Sequence, residues 1–87
     1  MEAAEEARLM REVVLYTRDG CSLCVKAKAV ILGVRKEIAF HFREVDIGWS
    51  GELYEDHKHD IPVVEIDGKR AFKHRVDPQA LKERLSA

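Results

Sequence analysis

Tyr16-Thr17-Arg18-Asp19-Gly20-Cys21-Ser22-Leu23-Cys24 is the stretch on which the reading of this chain turns. Just before and into it, Val13, Val14, Leu15 and Tyr16 form an unbroken apolar run that Thr17-Arg18-Asp19-Gly20 brings to a stop. A short continuous apolar run, β-branched at its start and bounded by turn residues, reads as a strand buried on both faces. Downstream the period changes. Leu23, Ala27, Val30, Ile31, Val34 and Ile38 recur at helical spacing, with Lys26, Lys28, Arg35, Lys36 and Glu37 largely off that stripe. Gly33 lies inside the stripe and predicts a bend or an end near it. Cys21 and Cys24 therefore stand where a buried strand hands over to an amphipathic helix.

Further along, Phe40, Phe42, Val45 and Ile47 suggest a second strand, with a slip in the alternation between Phe42 and Val45. A helix between two strands is a βαβ unit, which places the strands parallel with a right-handed crossover. A short helix follows, with Ser50 as N-cap, Trp49 and Tyr54 at staple spacing, and Leu53, Tyr54 and His57 facing inward. Ile61-Pro62-Val63-Val64-Glu65-Ile66 reads as a third strand that proline opens. Asp67-Gly68 is a two-residue hairpin signal, so Arg70-Ala71-Phe72 returns antiparallel. Asp77-Pro78 is an N-cap followed by a first-turn proline, and Leu81 and Leu85, one turn apart, dock the last helix. The expected fold is α/β: a four-stranded mixed sheet in the order β-α-β-α-β-β-α, flanked by helices. Residues 1–11 read as a helical or disordered extension and residues 12–87 as one domain.

Composition narrows the function. The 87 residues are 46% hydrophobic, enough for one core, and carry 15 basic against 16 acidic side chains for a net charge of -1. No overall positive excess is available to drive nucleic-acid binding. No apolar run approaches a membrane span. Residues 1–12, MEAAEEARLMRE, are acidic and lack the apolar centre of a signal peptide, so a cytoplasmic placement is expected. A monomer is the expected state. The two cysteines are too close in sequence to staple distant parts of a fold, so a secreted disulfide scaffold is excluded. Redox exchange or metal binding is what remains.

The junction gives the cysteines a division of labour. Cys21 falls at a helix N-terminus, where unpaired N–H groups and the macrodipole favour an anion. Its thiol is expected to titrate below the free-thiol value, and thiolate is the attacking form. Cys24, about one turn on, reaches back to Cys21 while shielded by the fold. A metal reading would add His57 and His59. Residues two apart on a helix face different ways, however, and do not easily ligate one ion, so no metal is assigned. Both histidines, and the basic cluster Lys69, Arg70, Lys73, His74 and Arg75, read as solvated. Trp49 and Tyr54 read as packing.

The segment Tyr16–Cys24, together with Asp60-Ile61-Pro62-Val63 and Asp67-Gly68, resembles the thioredoxin superfamily, and within it the small glutaredoxin-like proteins. The resemblance spans roughly residues 13–85. It implies a thioredoxin-like fold and a thiol–disulfide oxidoreductase. Cys21 matches the nucleophilic cysteine and Cys24 the resolving one. Pro62 matches a cis-proline beside the pair, and Ile61 the residue whose backbone pairs with substrate. Arg18 matches a basic residue that meets a carboxylate of glutathione. No bound cofactor is implied; glutathione or a reductase protein would supply electrons, and a protein disulfide or small thiol would be the partner. The chain also departs from the pattern. Ser22-Leu23 replaces the Pro-Tyr type pair, Gly20 stands where thioredoxins carry Trp, and Phe72-Lys73-His74-Arg75 occupies the place of a glutathione-seating Gly-Gly. The first strand carries no acidic residue of the kind thioredoxins use as a buried proton carrier. Two other readings stay open: a glutathione-dependent monothiol deglutathionylation that dispenses with Cys24, and a redox-inactive binding module on the same fold.

Overall fold

A computed structural model describes residues 10–86. Most of the expected extension, residues 1–9, lies outside them. The elements are β1 (Glu12–Thr17), α1 (Ser22–Arg35), β2 (His41–Asp46), α2 (Glu52–His57), β3 (Val63–Ile66), β4 (Lys69–Lys73) and α3 (Pro78–Ser86). The strands lie in the order β2-β1-β3-β4, which makes β1 an interior strand and explains its unbroken apolar run. Val13, Val14 and Leu15 are at most 2% exposed. β1 runs parallel to β2 and antiparallel to β3, and β3 runs antiparallel to β4.

The register explains the slip in β2. Phe42 lies opposite Val13 and Val45 opposite Tyr16, so the two apolar residues serve opposite faces of the sheet. On one face Val13, Leu15, Val64 and Ile66 meet Ala27, Ile31 and Val34 of α1 and Leu81 and Leu85 of α3, with Phe40 and Val76 completing the core. The spacing of Ala27, Ile31 and Val34 puts all three on one stripe of α1. The helix ends near Gly33, at Arg35, with the Lys36 N–H turned back to the Gly33 and Val34 carbonyls, and Ile38 lies beyond it, partly buried against the core. Among the described residues, the short α2 is the helix against the other face, through the buried His57.

The hairpin is formed as expected. Asp67 and Gly68 both have positive φ, 52° and 82°, as a two-residue turn between twisted strands requires. The same Asp67 anchors the start of β1. Its carboxylate accepts from the Glu12 N–H at 2.9 Å and pairs with Arg11 at 2.9 Å, while its own N–H donates to the Glu12 carbonyl. Arg11 Nε also donates to the Leu85 carbonyl at 3.3 Å, so β1, the hairpin and the end of α3 meet at one pole. Asp77 caps α3 by accepting the Ala80 N–H at 2.8 Å.

Two expectations about α2 are corrected. Its N-cap is Gly51, at φ 98°, with no side-chain cap bond, in place of Ser50. Leu53 is 41% exposed and does not face inward; Tyr54 is partly buried and His57 forms the inner contact.

Ile31, fully buried at the centre of α1's inner stripe, tests this core. Ile31→Ala is expected to lower unfolding free energy by about 2–5 kcal/mol in denaturant titrations. Val25→Ala, on the exposed side of the same helix, changes it by no more than about 0.5 kcal/mol. Equal effects at the two positions would refute the assigned packing face.

Candidate active site

The chain leaves β1 through a tight turn. Gly20 sits at φ 82°, a left-handed conformation that favours glycine, and the Cys21 N–H donates to the Arg18 carbonyl at 3.3 Å. Cys21 is then the N-cap of α1, with extended backbone angles, and its Sγ accepts the Cys24 N–H at 3.1 Å. A sulfur thus occupies the capping position usually filled by a serine or aspartate oxygen. Cys21 and Cys24 are joined as a disulfide. Cys21 is partly exposed, whereas Cys24 is 3% exposed and turned into the protein. The two sulfurs therefore differ in access and in backbone environment.

Antiparallel pairing of Tyr16 with Val63 brings the start of β3 to the same end of the sheet. Ile61 and Pro62 precede it there, and the Ile61–Pro62 peptide bond is cis. The Ile61 N–H donates to the His57 carbonyl at 3.2 Å, and the Pro62 carbonyl accepts the His74 N–H at 2.7 Å. His74 itself sits at φ 66°, a left-handed position at the end of β4, in the segment where Gly-Gly was expected and is absent. Its side chain reaches the His59 carbonyl at 3.0 Å.

Arg18 is not a free loop charge. Its guanidinium lies 4.0 Å over the Trp49 ring and 5.8 Å from the centre of Tyr54. Trp49 is 67% exposed, so it does not serve as interior packing; with Tyr54 it frames the arginine. Arg18 Nε is buried and has no hydrogen-bond partner among the described residues. Between Arg18, the cysteines and the end of β2 opens a groove of about 510 Å³, whose walls include Lys28, Glu44 and Asp46. Sequence reasoning did not single out these last three. Glu44 occupies a regular polar position on β2, and only the register ties it to the cysteines.

His57 faces inward, as its place on α2 predicted, and its burial corrects the reading of it as a solvated histidine. Its ring stacks on Tyr16 with centroids 4.4 Å apart. Arg70 Nη2 lies 3.0 Å from Nδ1; an arginine only donates, so that nitrogen accepts. Arg70 Nη1 also donates to Asp60 at 3.0 Å. The Tyr16 hydroxyl donates to Glu65 at 3.0 Å, and desolvation first, then this bond, raises the tyrosine's pKa. Among the described residues no three His, Cys, Asp or Glu side chains come together as a metal-holding set. No described helix is long and apolar enough to cross a membrane.

A mixed sheet of this order, with a Cys-x-x-Cys at the end of β1 and a proline ahead of β3, defines a thioredoxin-like fold. Solved structures agree. Protein Ne2328 of Nitrosomonas europaea superimposes with a TM-score of 0.75 at 23% identity, covering 87% of this chain and 92% of that one. Thioredoxin of Fasciola hepatica does so with a TM-score of 0.60 at 20% identity, covering 98% and 86%. More narrowly, residues 12–86 match the glutaredoxin-like domain (DUF836), and the chain belongs to that family. A glutaredoxin-like protein of Dictyostelium discoideum is 39% identical over 72 residues, spanning 76% of this chain and 67% of the relative.

The Arg70 bond, with the charges of Lys73, Arg70 and His74, holds the Asp60 carboxyl below its ordinary range, against a smaller opposing desolvation. A native value below the unfolded one contributes stability above about pH 4. That contribution is lost as pH falls through the lowered native value. Asp60→Asn is therefore expected to flatten the acid limb of unfolding midpoints measured between about pH 2 and 5. An acid limb as steep as the parent's would remove this role from Asp60.

Proposed function

We propose that the protein is a thiol–disulfide oxidoreductase that reduces protein or small-molecule disulfides through Cys21 and Cys24. The observation that carries this is the cap of α1: a partly exposed sulfur accepts a backbone N–H, with a buried partner sulfur one turn away. The N–H donor and helix terminus favour negative charge on Cys21 over Cys24. In the reduced protein, Cys21 thiolate attacks a substrate sulfur and expels the other substrate half as thiolate, forming a mixed disulfide. Cys24, as thiolate, attacks Cys21 Sγ. The Cys21–Cys24 bond forms, the Cys21–substrate bond breaks, and its electron pair leaves on the substrate sulfur. The pair loses two electrons and the substrate disulfide gains them. Glutathione or a reductase protein restores the dithiol, and no bound cofactor is required.

Substrate positioning falls to the same end of the sheet. Ile61 and Pro62 border the pair's side of β3; with the Ile61 N–H engaged by His57, its carbonyl is the group left for a substrate backbone. Arg18, held flat on Trp49 at the edge of the groove, offers its guanidinium to a substrate carboxylate.

Cys21→Ser is expected to abolish reduction of a protein disulfide such as that of insulin. Cys24→Ser is expected to accumulate a substrate adduct on Cys21, visible as a mass increment removed by dithiothreitol. Full activity in both variants would refute the dithiol reading. Arg18→Ala is expected to raise KM for a glutathionylated peptide about 10-fold with kcat little changed, and Arg18→Lys to restore only part of the loss. An unchanged KM in the alanine variant would take Arg18 out of the binding site.

A further inference from the structure

The second chemical step needs a group that the sequence did not name. Cys24 is 3% exposed, and a thiol in such surroundings keeps its proton. It attacks only after something accepts that proton. β1 supplies no carboxylate on the α1 side; the residue there is Leu15. The parallel register, however, places Glu44 of β2 directly beside Leu15, on the same face of the sheet. Glu44 Oε1 is held 3.0 Å from Lys28 Nζ. Lys28 follows Cys24 by one turn of α1 and shares its side of the helix. Cys24, Lys28 and Glu44 all line the one groove described above.

We propose that Glu44 is the proton acceptor for Cys24 in resolution of the mixed disulfide, with Lys28 holding its carboxylate toward the groove. This inference rests on the dithiol reading. The proton passes from Cys24 Sγ to a Glu44 carboxylate oxygen, directly or through one water. Cys24 thiolate then forms the bond to Cys21, and the expelled substrate thiolate takes its proton from solvent.

The other charged groups on the groove are Arg18 and Asp19 from the β1–α1 turn, Lys28 from α1, and Asp46 from β2. Arg18 and Lys28 accept no proton while charged. Asp46 already accepts the Gly48 N–H at 2.7 Å, and Asp19 is an exposed turn residue on the Cys21 side. Glu44 is the remaining carboxylate, and it alone is linked to the helix that carries Cys24. As a surface ion pair, Lys28–Glu44 adds little to stability, so replacing Glu44 leaves the fold in place.

The test uses reduced full-length protein and dithiobis(nitrobenzoate), followed by stopped-flow absorbance. The first nitrothiophenolate released reports attack by Cys21. The second, unimolecular release reports attack by Cys24 on the adduct. Glu44→Gln is expected to slow the second release about 100-fold at pH 7, the lower range of what a positioned proton acceptor contributes. The first phase, which moves no Cys24 proton, is expected to keep its rate. Glu44→Asp should recover part of the second phase. A second phase of parental rate in Glu44→Gln would overturn the proposal and leave the dithiol reading standing. Parent protein that releases no second nitrothiophenolate would overturn both.

Discussion

One hydrogen bond organises the reactive end of this protein: the Cys24 N–H donating to Cys21 Sγ at 3.1 Å. It makes a sulfur the cap of α1, and this ties chemistry to folding at a single atom. The turn that delivers Cys21 needs Gly20 in a left-handed conformation and a bond back to the Arg18 carbonyl. The helix that follows needs its inner stripe of Ala27, Ile31 and Val34 seated on β1. With both in place, Cys21 faces outward on the dipole and Cys24 faces the core. The contrast between the two sulfurs follows from helix geometry and burial, with no separate device.

The sheet works as two surfaces with different duties. One is apolar and carries α1 and α3. The other is polar along much of its length, with Glu12, Arg43 and Glu65 beside Val14 and Val63, and among the described helices α2 packs on it. On that second surface the Tyr16–His57 stack and the Arg70 bonds to His57 and Asp60 hold the segment leading into Pro62. The loop from β2 to α2 supplies Trp49 and α2 itself supplies Tyr54, and the two fix Arg18 beside the groove. Elements far apart in sequence thus converge on the mouth of β1.

Much of this was legible in the residues. The change from a continuous apolar run to helical spacing located Cys21 and Cys24 at a strand–helix junction, and Asp67-Gly68 and Asp77-Pro78 marked their turn and cap, because those signals are local. β2 was less readable, since Phe42 and Val45 serve opposite faces, and without its register Glu44 could not be set beside Leu15. The α2 cap escaped because Gly51 supplies a backbone conformation and no side chain. His57 could be set on the inner face of α2, but the partners that bury it, a ring from β1 and a guanidinium from β4, could not be named. The aromatic frame of Arg18 was not legible, because it comes from beyond β2. Apart from that cap, what was not legible lies in pairing between distant segments, where no short-range periodicity exists.

Asp67 also has a geometric outcome. By gripping Arg11 and Glu12 while Arg11 reaches Leu85, it gathers the beginning of β1 and the finish of α3 at the pole remote from the sulfurs. Polypeptide joined ahead of Arg11 or behind Leu85 departs from that remote pole. A tethered module or an immobilising surface would therefore hold the domain from behind, leaving the Cys21 end turned away from the tether.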